Sequence, residues 1–206
     1  SAGITRVRQL LATESALEER ANAALPAGPL SVHFDHVTFG YEDDDPVLVD
    51  LDFRLEPGRI LGLLGRTGSG KTTISRLLFR LYDPRSGSVR LGDTEIRDLA
   101  LDDLHRGVGM VTQNVQLFHA SLRDNLTFFD RSVSDDTILA VIRELGLSPW
   151  YDGLAHGLDT EIESSGSGLS SGEAQLLAFA RIFLKDPGLV ILDEASSRLD
   201  PATEVL

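Results

Sequence analysis

The chain of 206 residues contains no cysteine. Disulfides and thiolate metal sites are excluded, and the composition fits a reducing compartment without requiring one. Basic residues are also scarce: 19 Lys and Arg stand against 32 Asp and Glu, a formal net charge of −13. A nucleic-acid partner held by general electrostatics needs basic patches, so this balance argues against one. No apolar run approaches the ~20 residues that cross a bilayer, and the N-terminus shows no apolar segment of the signal-peptide kind. The chain as given reads as soluble, with any membrane association supplied from elsewhere. Internal repeats and low-complexity tracts are absent as well. The hydrophobic fraction of 42% suffices for a core in one large domain, or one domain with an inserted subdomain.

Against this background one stretch stands out, Gly65-Arg66-Thr67-Gly68-Ser69-Gly70-Lys71-Thr72. It satisfies the phosphate-loop pattern G-x-x-x-x-G-K-[ST] in full. The apolar run at 60–64 before it predicts a buried parallel strand, and residues 73–81 predict a helix behind it. Strand, glycine loop and helix are the context the motif needs. Glycines let backbone N–H groups converge on phosphate oxygens, and the helix N-terminus adds partial positive charge. Lys71 is placed to reach the β- and γ-phosphates and Thr72 to ligate Mg²⁺.

The remaining segments are ordinary by comparison. Residues 4–24 pattern as a short amphipathic helix followed by a charged, alanine-rich stretch, broken by Pro26, Gly28 and Pro29. Residues 31–39 alternate with period two and predict a half-buried strand. An acidic turn at 42–46 reads as a solvated loop tip. Further strands are expected at 47–55, 88–91 and 107–111. A helix over 135–145 follows Ser134 as its cap. Residues 164–168 are a serine and glycine loop, and 173–185 are strongly helical. His33, His36, His105, His119 and His156 read as surface or core histidines.

Leu189-Val190-Ile191-Leu192-Asp193-Glu194 is a second buried strand ending in two carboxylates. Ligands of α/β sheets sit at the carboxyl ends of strands. With a phosphate loop upstream, Asp193 is a candidate to hold Mg²⁺, directly or through water, and Glu194 to polarise or orient an attacking water. Just before it, Leu169-Ser170-Ser171-Gly172-Glu173-Ala174-Gln175 opens a helix, with Ser170 or Ser171 as N-cap and Glu173 in the first turn.

These motifs together resemble the nucleotide-binding domain of ATP-binding-cassette (ABC) transporters, over nearly the whole chain. The resemblance implies ATP and Mg²⁺ as cofactors. Gly65, Arg66, Thr67, Gly68, Ser69, Gly70, Lys71 and Thr72 would form the phosphate loop, with Thr73 on the α-phosphate. Tyr41 would stack on adenine, or else be a core tyrosine at a strand end. Gln113 resembles the Q-loop glutamine and joins Thr72 and Asp193 around the metal. Lys71, Gln113 and Glu194 are the catalytic candidates. Residues 169–175 resemble the LSGGQ signature, whose Ser170, Ser171, Gly172 and Glu173 would face a nucleotide on another cassette. Residues 197–200 resemble the D-loop. Residues 113–126 resemble the exporter pattern Q-x-x-x-L-F-x-x-[ST]-[IL]-x-[DE]-N-[IL], and Asn114 to Asp130 would meet coupling helices of a membrane domain.

The implied architecture is α/β, a P-loop NTPase core with a mixed sheet in which 60–64, 108–112 and 189–193 are adjacent parallel strands. An antiparallel β edge from 31–55 and a helical insertion at about 115–170 complete it. Residues 1–29 would be a linker from a membrane domain and 30–206 the cassette. Implied partners are a second cassette, identical or not, docked head to tail, and the transmembrane domain of a parent exporter, with the cassette on the cytoplasmic face of the membrane. Three departures stand out: Ser171 and Glu173 where Gly and Gln are commonest, Ser164 where exporters usually carry Glu before the signature, and no counterpart of the switch histidine, which the family places beyond Leu206. The C-terminal part of the domain is thus expected to be missing, and the chain as given to turn over slowly or not at all. Two rivals share these motifs: a soluble, non-transport cassette ATPase, which the 113–126 pattern disfavours, and a regulatory cassette that binds ATP but barely hydrolyses it, which Glu194 disfavours.

Overall fold

A computed structural model describes residues 4, 6–8, 17, 23–41, 45–112, 115–163 and 169–193. The chain divides into two compact units, one of residues 1–25 and 31–104, the other of 26–30 and 105–206.

The first unit is built on a four-stranded antiparallel sheet in the order β2-β1-β3-β4. Its strands are β1 (Val32–Phe39), β2 (Leu48–Leu55), β3 (Ser86–Leu91) and β4 (Thr94–Glu95). Alternation in β1 turns Val32 and Phe34 inward, and Phe34 stacks on Phe53 of β2 at 4.8 Å between ring centroids. Helix α1 (Lys71–Leu78) buries Ile74, Leu77 and Leu78, the i, i+3, i+4 face of an amphipathic helix. Arg80, in the left-handed region at φ 49, ends the turn after it. Its side chain is fully buried and donates to Asp83 Oδ1 (3.1 Å) and to the Leu99 carbonyl (3.3 Å), so the buried charge is paired.

One sequence expectation differs here. Residues 60–64 form no strand, and Ile60 and Leu64 are each 98% exposed. The hydrogen bonds of a parallel strand come wholly from neighbours distant in sequence. Among the described residues none is supplied to this run. Its composition states what the segment needs for burial, not that the covering surface is there.

Helix α2 (Leu101–Gly107) leads along the chain into the second unit. There β5 (Val108–Thr112) pairs in parallel with β8 (Leu189–Asp193), in register along all five residues from Val108 opposite Leu189 to Thr112 opposite Asp193. A Cβ at Gly109 would lie 2.8 Å from both Ile182 and Pro187, so glycine permits the close packing of strand and helix. The rest of the unit comprises β6 (Ala120–Ser121) paired with β7 (Glu161–Ile162), and helices α3 (Leu122–Thr127), α4 (Asp135–Glu144), α5 (Ser148–Asp152) and α6 (Ser171–Lys185). Ser134 caps α4 as the sequence suggests, accepting from the Thr137 N–H.

Helix α6 is the spine of this unit. Leu177 and Ala180 enter the helical core with Leu122, Leu126, Ile138 and Ile142, while Ala178 packs on Val111 of β5. At its far end Lys185 Nζ donates to the Val108 carbonyl at 2.8 Å, and burial lowers the lysine's pKa.

Asn125 is 1% exposed and ties down the segment that precedes α3. Its amide donates to the carbonyls of Phe118, Ala120 and Ser121 at 2.9 to 3.2 Å and accepts the Phe118 N–H at 2.8 Å. Leucine at this position has similar volume but strands those groups. Asn125→Leu is expected to lower unfolding free energy by about 2–3 kcal/mol, measured by urea denaturation. A loss under about 0.5 kcal/mol would show that the clamp contributes little.

Candidate functional site

The phosphate loop lies at the N-terminus of α1. Gly68 and Gly70 take φ values of 84 and 89, a backbone that glycine adopts freely. At Gly70 a Cβ would stand 2.8 Å from Leu48 Cδ2. At Gly65 it would stand 2.5 Å from Ser69 Oγ. Side chains at these points would fill the loop, so the glycines keep backbone donors approachable. The helix start has no side-chain cap. The Ile74 N–H closes the first helical bond onto the Gly70 carbonyl, and the N–H groups before it are left without an intrahelical partner. Aligned donors, the helix dipole and a cation make an anion site. The cation is Lys71, whose Nζ donates to the carbonyls of Gly65 (2.8 Å) and Arg66 (3.1 Å), folded back over its own loop.

Tyr41 belongs to the same unit and meets the same helix. Its hydroxyl is 3.1 Å from Thr73 Oγ1 and accepts from Arg76 Nη1 at 2.9 Å. The ring packs edge-on against Phe39 and Tyr82, with the Arg76 guanidinium 5.6 Å from its centroid, and remains 44% exposed. Sequence placed Tyr41 near the loop by resemblance alone. The aromatic neighbours and the Arg76 contact had no signal there.

In the second unit two further features carry candidate residues. Asp193 closes β8 opposite Thr112, at the carboxyl end of the parallel pair. Helix α6 begins with a full capping box: Ser170 Oγ accepts the Glu173 N–H at 3.1 Å, and Glu173 Oε2 accepts the Ser170 N–H at 2.6 Å. Of the two serines proposed as cap, Ser170 holds the position. The box occupies the Glu173 N–H, which leaves the Ser171 and Gly172 N–H groups as the open donors of this turn.

Arg181 on α6 is a residue that sequence reasoning missed. It donates from Nε to the Asn125 carbonyl (2.8 Å) and from Nη1 to the Gln116 carbonyl (2.9 Å), with its guanidinium 4.7 Å from the centre of the Phe128 ring. Burial pushes its pKa down to about 10, so it stays charged at neutral pH. Helix α6 and Asn125 thus fix the path of the chain just after Gln113. Gln113, Glu194, residues 164–168 and the stretch 197–200 lie outside the described residues.

Comparison with known proteins assigns the class. Residues 48–197 match the ABC transporter family, and the chain belongs to it. It is 39% identical over 191 residues to the mitochondrial iron–sulfur clusters transporter ATM1 of Chaetomium globosum, covering 91% of this chain and 32% of that protein. It is 41% identical over 174 residues to human ABCB7, a mitochondrial iron–sulfur clusters transporter, covering 84% and 23%. The mycobactin import ATP-binding/permease protein IrtA of Mycolicibacterium smegmatis is 38% identical over 206 residues, covering 99% and 24%. Among solved structures, a bacterial Atm1-family ABC exporter with ATP bound superposes with TM-score 0.89 at 33% identity, over 98% of this chain and 36% of that one. The chain therefore has the P-loop NTPase fold of ABC ATPases, and it spans about a quarter to a third of the length of these relatives.

The capping box separates the structural work of the signature from any ligand contact. Ser170→Ala should lower stability by about 1 kcal/mol. Glu173→Gln keeps a side-chain acceptor at the same place and should change it by less than about 0.5 kcal/mol. Denaturant unfolding of both variants checks this, and equal losses would contradict it.

Proposed function

We propose that this chain is the ATP-binding and ATP-hydrolysing cassette of a membrane exporter, working through ATP-dependent pairing with a second cassette. The observation that carries the reading is the start of α1, uncapped, glycine-lined and covered by Lys71. Its donors fit a triphosphate: they are backbone N–H groups that only an external acceptor can satisfy, and no Cβ stands in their way.

In this reading Gly65, Arg66, Thr67, Gly68, Ser69 and Gly70 wrap the phosphates with backbone N–H groups. Lys71 exchanges its two loop carbonyls for the β- and γ-phosphate oxygens, a stronger charge-assisted contact. Thr73 faces the α-phosphate, and Tyr41 offers its ring to adenine while its hydroxyl stays beside Thr73. Thr72, Asp193 and Gln113 would hold Mg²⁺, which neutralises charge on the phosphate oxygens. Glu194 takes the proton of the attacking water. The signature turn at Ser170, Ser171, Gly172 and Glu173 presents its open Ser171 and Gly172 N–H groups to the γ-phosphate held by the second cassette. Loss of that phosphate removes the acceptor between the two, and they part.

The membrane partner is inferred from the segment that Asn125 and Arg181 fix after Gln113, which fits coupling helices of a transmembrane domain. Residues 1–29 would be the linker from that domain, 30–206 the cassette, and about 115–170 its helical insertion. Cassette sequence does not sort the relatives by cargo: those named for iron–sulfur clusters and for mycobactin are equally similar to this chain. The cassette would be a common motor on the cytoplasmic face of the membrane, with cargo read elsewhere.

Calorimetry with Mg·ATP tests the binding step. Lys71→Ala should abolish binding, and Tyr41→Ala should weaken it roughly tenfold, the scale of one stacking contact. A Lys71→Ala variant that binds as tightly as the parent contradicts the assignment. For the chemical step, Glu194→Gln in the proposed parent exporter should retain ATP and stop phosphate release. Undiminished turnover in that variant would remove Glu194 from its role.

A further inference from the structure

The solvent face of the β1–β2 pair carries a cluster that the nucleotide site does not use. Strand β1 contains His33-Phe34-Asp35-His36, and alternation turns His33 and Asp35 away from buried Val32 and Phe34. The register then slips: Phe34 stands opposite Phe53 and Val37 opposite Leu51, so Asp35 and His36 together face the single residue Asp52. This is a β-bulge, which re-aims a side chain. On the other edge Gly87 of β3 allows the bulge, since a Cβ there would lie 2.4 Å from the carbonyl oxygens of Asp35 and His36.

The result is a convergence of donor atoms. One ligand-type atom each from His33, Asp35 and Asp52 lies within 4.8 Å of the others. His36 approaches from the side: its Nε2 is 3.9 Å from Asp52 Oδ2, and its Nδ1 is 2.7 Å from Asp50 Oδ1. An ionised carboxylate only accepts, so a proton sits on Nδ1 toward Asp50, and Nε2 is the nitrogen that can take a metal in place of its own proton. A carboxylate on one imidazole nitrogen with the other nitrogen free is the outer-shell arrangement of metal-ligating histidines.

The local charge favours a cation. Three carboxylates, Asp35, Asp50 and Asp52, lie around the two imidazoles. Arg54 of β2 and Arg90 of β3 stand opposite His33 on the two sides of β1, and Arg54 donates to Glu56 at 2.8 Å. Among the described residues neither Asp35 nor Asp52 is paired with an arginine or lysine. Mixed imidazole and carboxylate donors without thiolate suit zinc and its neighbours better than calcium or magnesium, which prefer all-oxygen sets. Tetrahedral ligands at about 2.0–2.2 Å from zinc are roughly 3.3 Å apart, so side-chain rotation of about an ångström closes the set.

We propose that His33, Asp35 and Asp52, with His36 as fourth donor and Asp50 as its orienting partner, form a binding site for a divalent transition-metal ion of the zinc type. The site lies on the outer face of the β1–β2 pair and shares no residue with the phosphate loop.

The test is calorimetric titration of the full 206-residue chain with zinc chloride alone, without nucleotide, repeated with excess Mg²⁺ and Ca²⁺. One saturable site in the micromolar range or tighter is expected, undisplaced by either hard cation. His33→Ala and Asp52→Asn should each weaken it at least tenfold, and Asp50→Asn by about tenfold. His119→Ala and His156→Ala should leave it unchanged. Long-range ¹H–¹⁵N spectra should show the His33 and His36 ring nitrogens shifting at one equivalent, which reads the site in the unsubstituted chain should a variant fail to fold. Absence of saturable zinc binding, equal affinity in His33→Ala or Asp52→Asn, unshifted His33 nitrogens, or displacement by Ca²⁺ would overturn the proposal.

Discussion

Gly70 is locked between two demands, and the candidate site depends on both. Its φ of 89 starts helix α1 out of a left-handed turn, and Leu48 Cδ2 fills the space where its Cβ would be. Leu48 begins β2, so the sheet of the first unit seats the phosphate loop directly. Ile74, Leu77 and Leu78 anchor the helix behind it. The donors at the helix start are therefore held by a packed core rather than by a cap, and stay free for an anion without reorganisation. Lys71 on the Gly65 and Arg66 carbonyls satisfies the same loop in the meantime.

Helix α6 solves the same terminal problem in the opposite way. Its first turn is closed by its own side chains, Ser170 and Glu173, and its body is fixed by burial along two faces. A self-capped helix can stand alone and still present the Ser171 and Gly172 N–H groups to a visitor. An uncapped one is completed only by its ligand. That contrast fits a resident phosphate site at α1 and a second-party contact at α6. Arg181, from the middle of α6, reaches Gln116 and Asn125 and so links the same helix to the segment after Gln113.

The sequence was legible where chemistry is local. The Ser134 cap and the start of α6 depend on residues a few positions apart and form as their patterns suggest, and the helix after the phosphate loop forms without the expected strand before it. Asp193 at the end of β8 was legible because an apolar run ends there in acids. Residues 60–64 misled, because their apolar run states a need for partners that only distant segments can meet. Arg181 gave no signal, since its partners lie 56 and 65 positions away. His33 and His36 read as ordinary histidines for the same reason. Asp52 approaches both across the sheet and Asp50 approaches His36, at the point where the register is bulged. Gln113 and Glu194 rest on motif resemblance, being outside the described residues.

The central claim is that the loop of residues 65–73 holds the triphosphate of ATP. A crystal structure of this chain with Mg²⁺ and a non-hydrolysable ATP analogue tests it most directly. The account predicts β- and γ-phosphate oxygens about 3 Å from the backbone nitrogens of Gly68 through Thr73, with Lys71 Nζ moved from the Gly65 and Arg66 carbonyls onto phosphate. Lys71 still bonded to its own loop, with the analogue bound elsewhere or not at all, would contradict it.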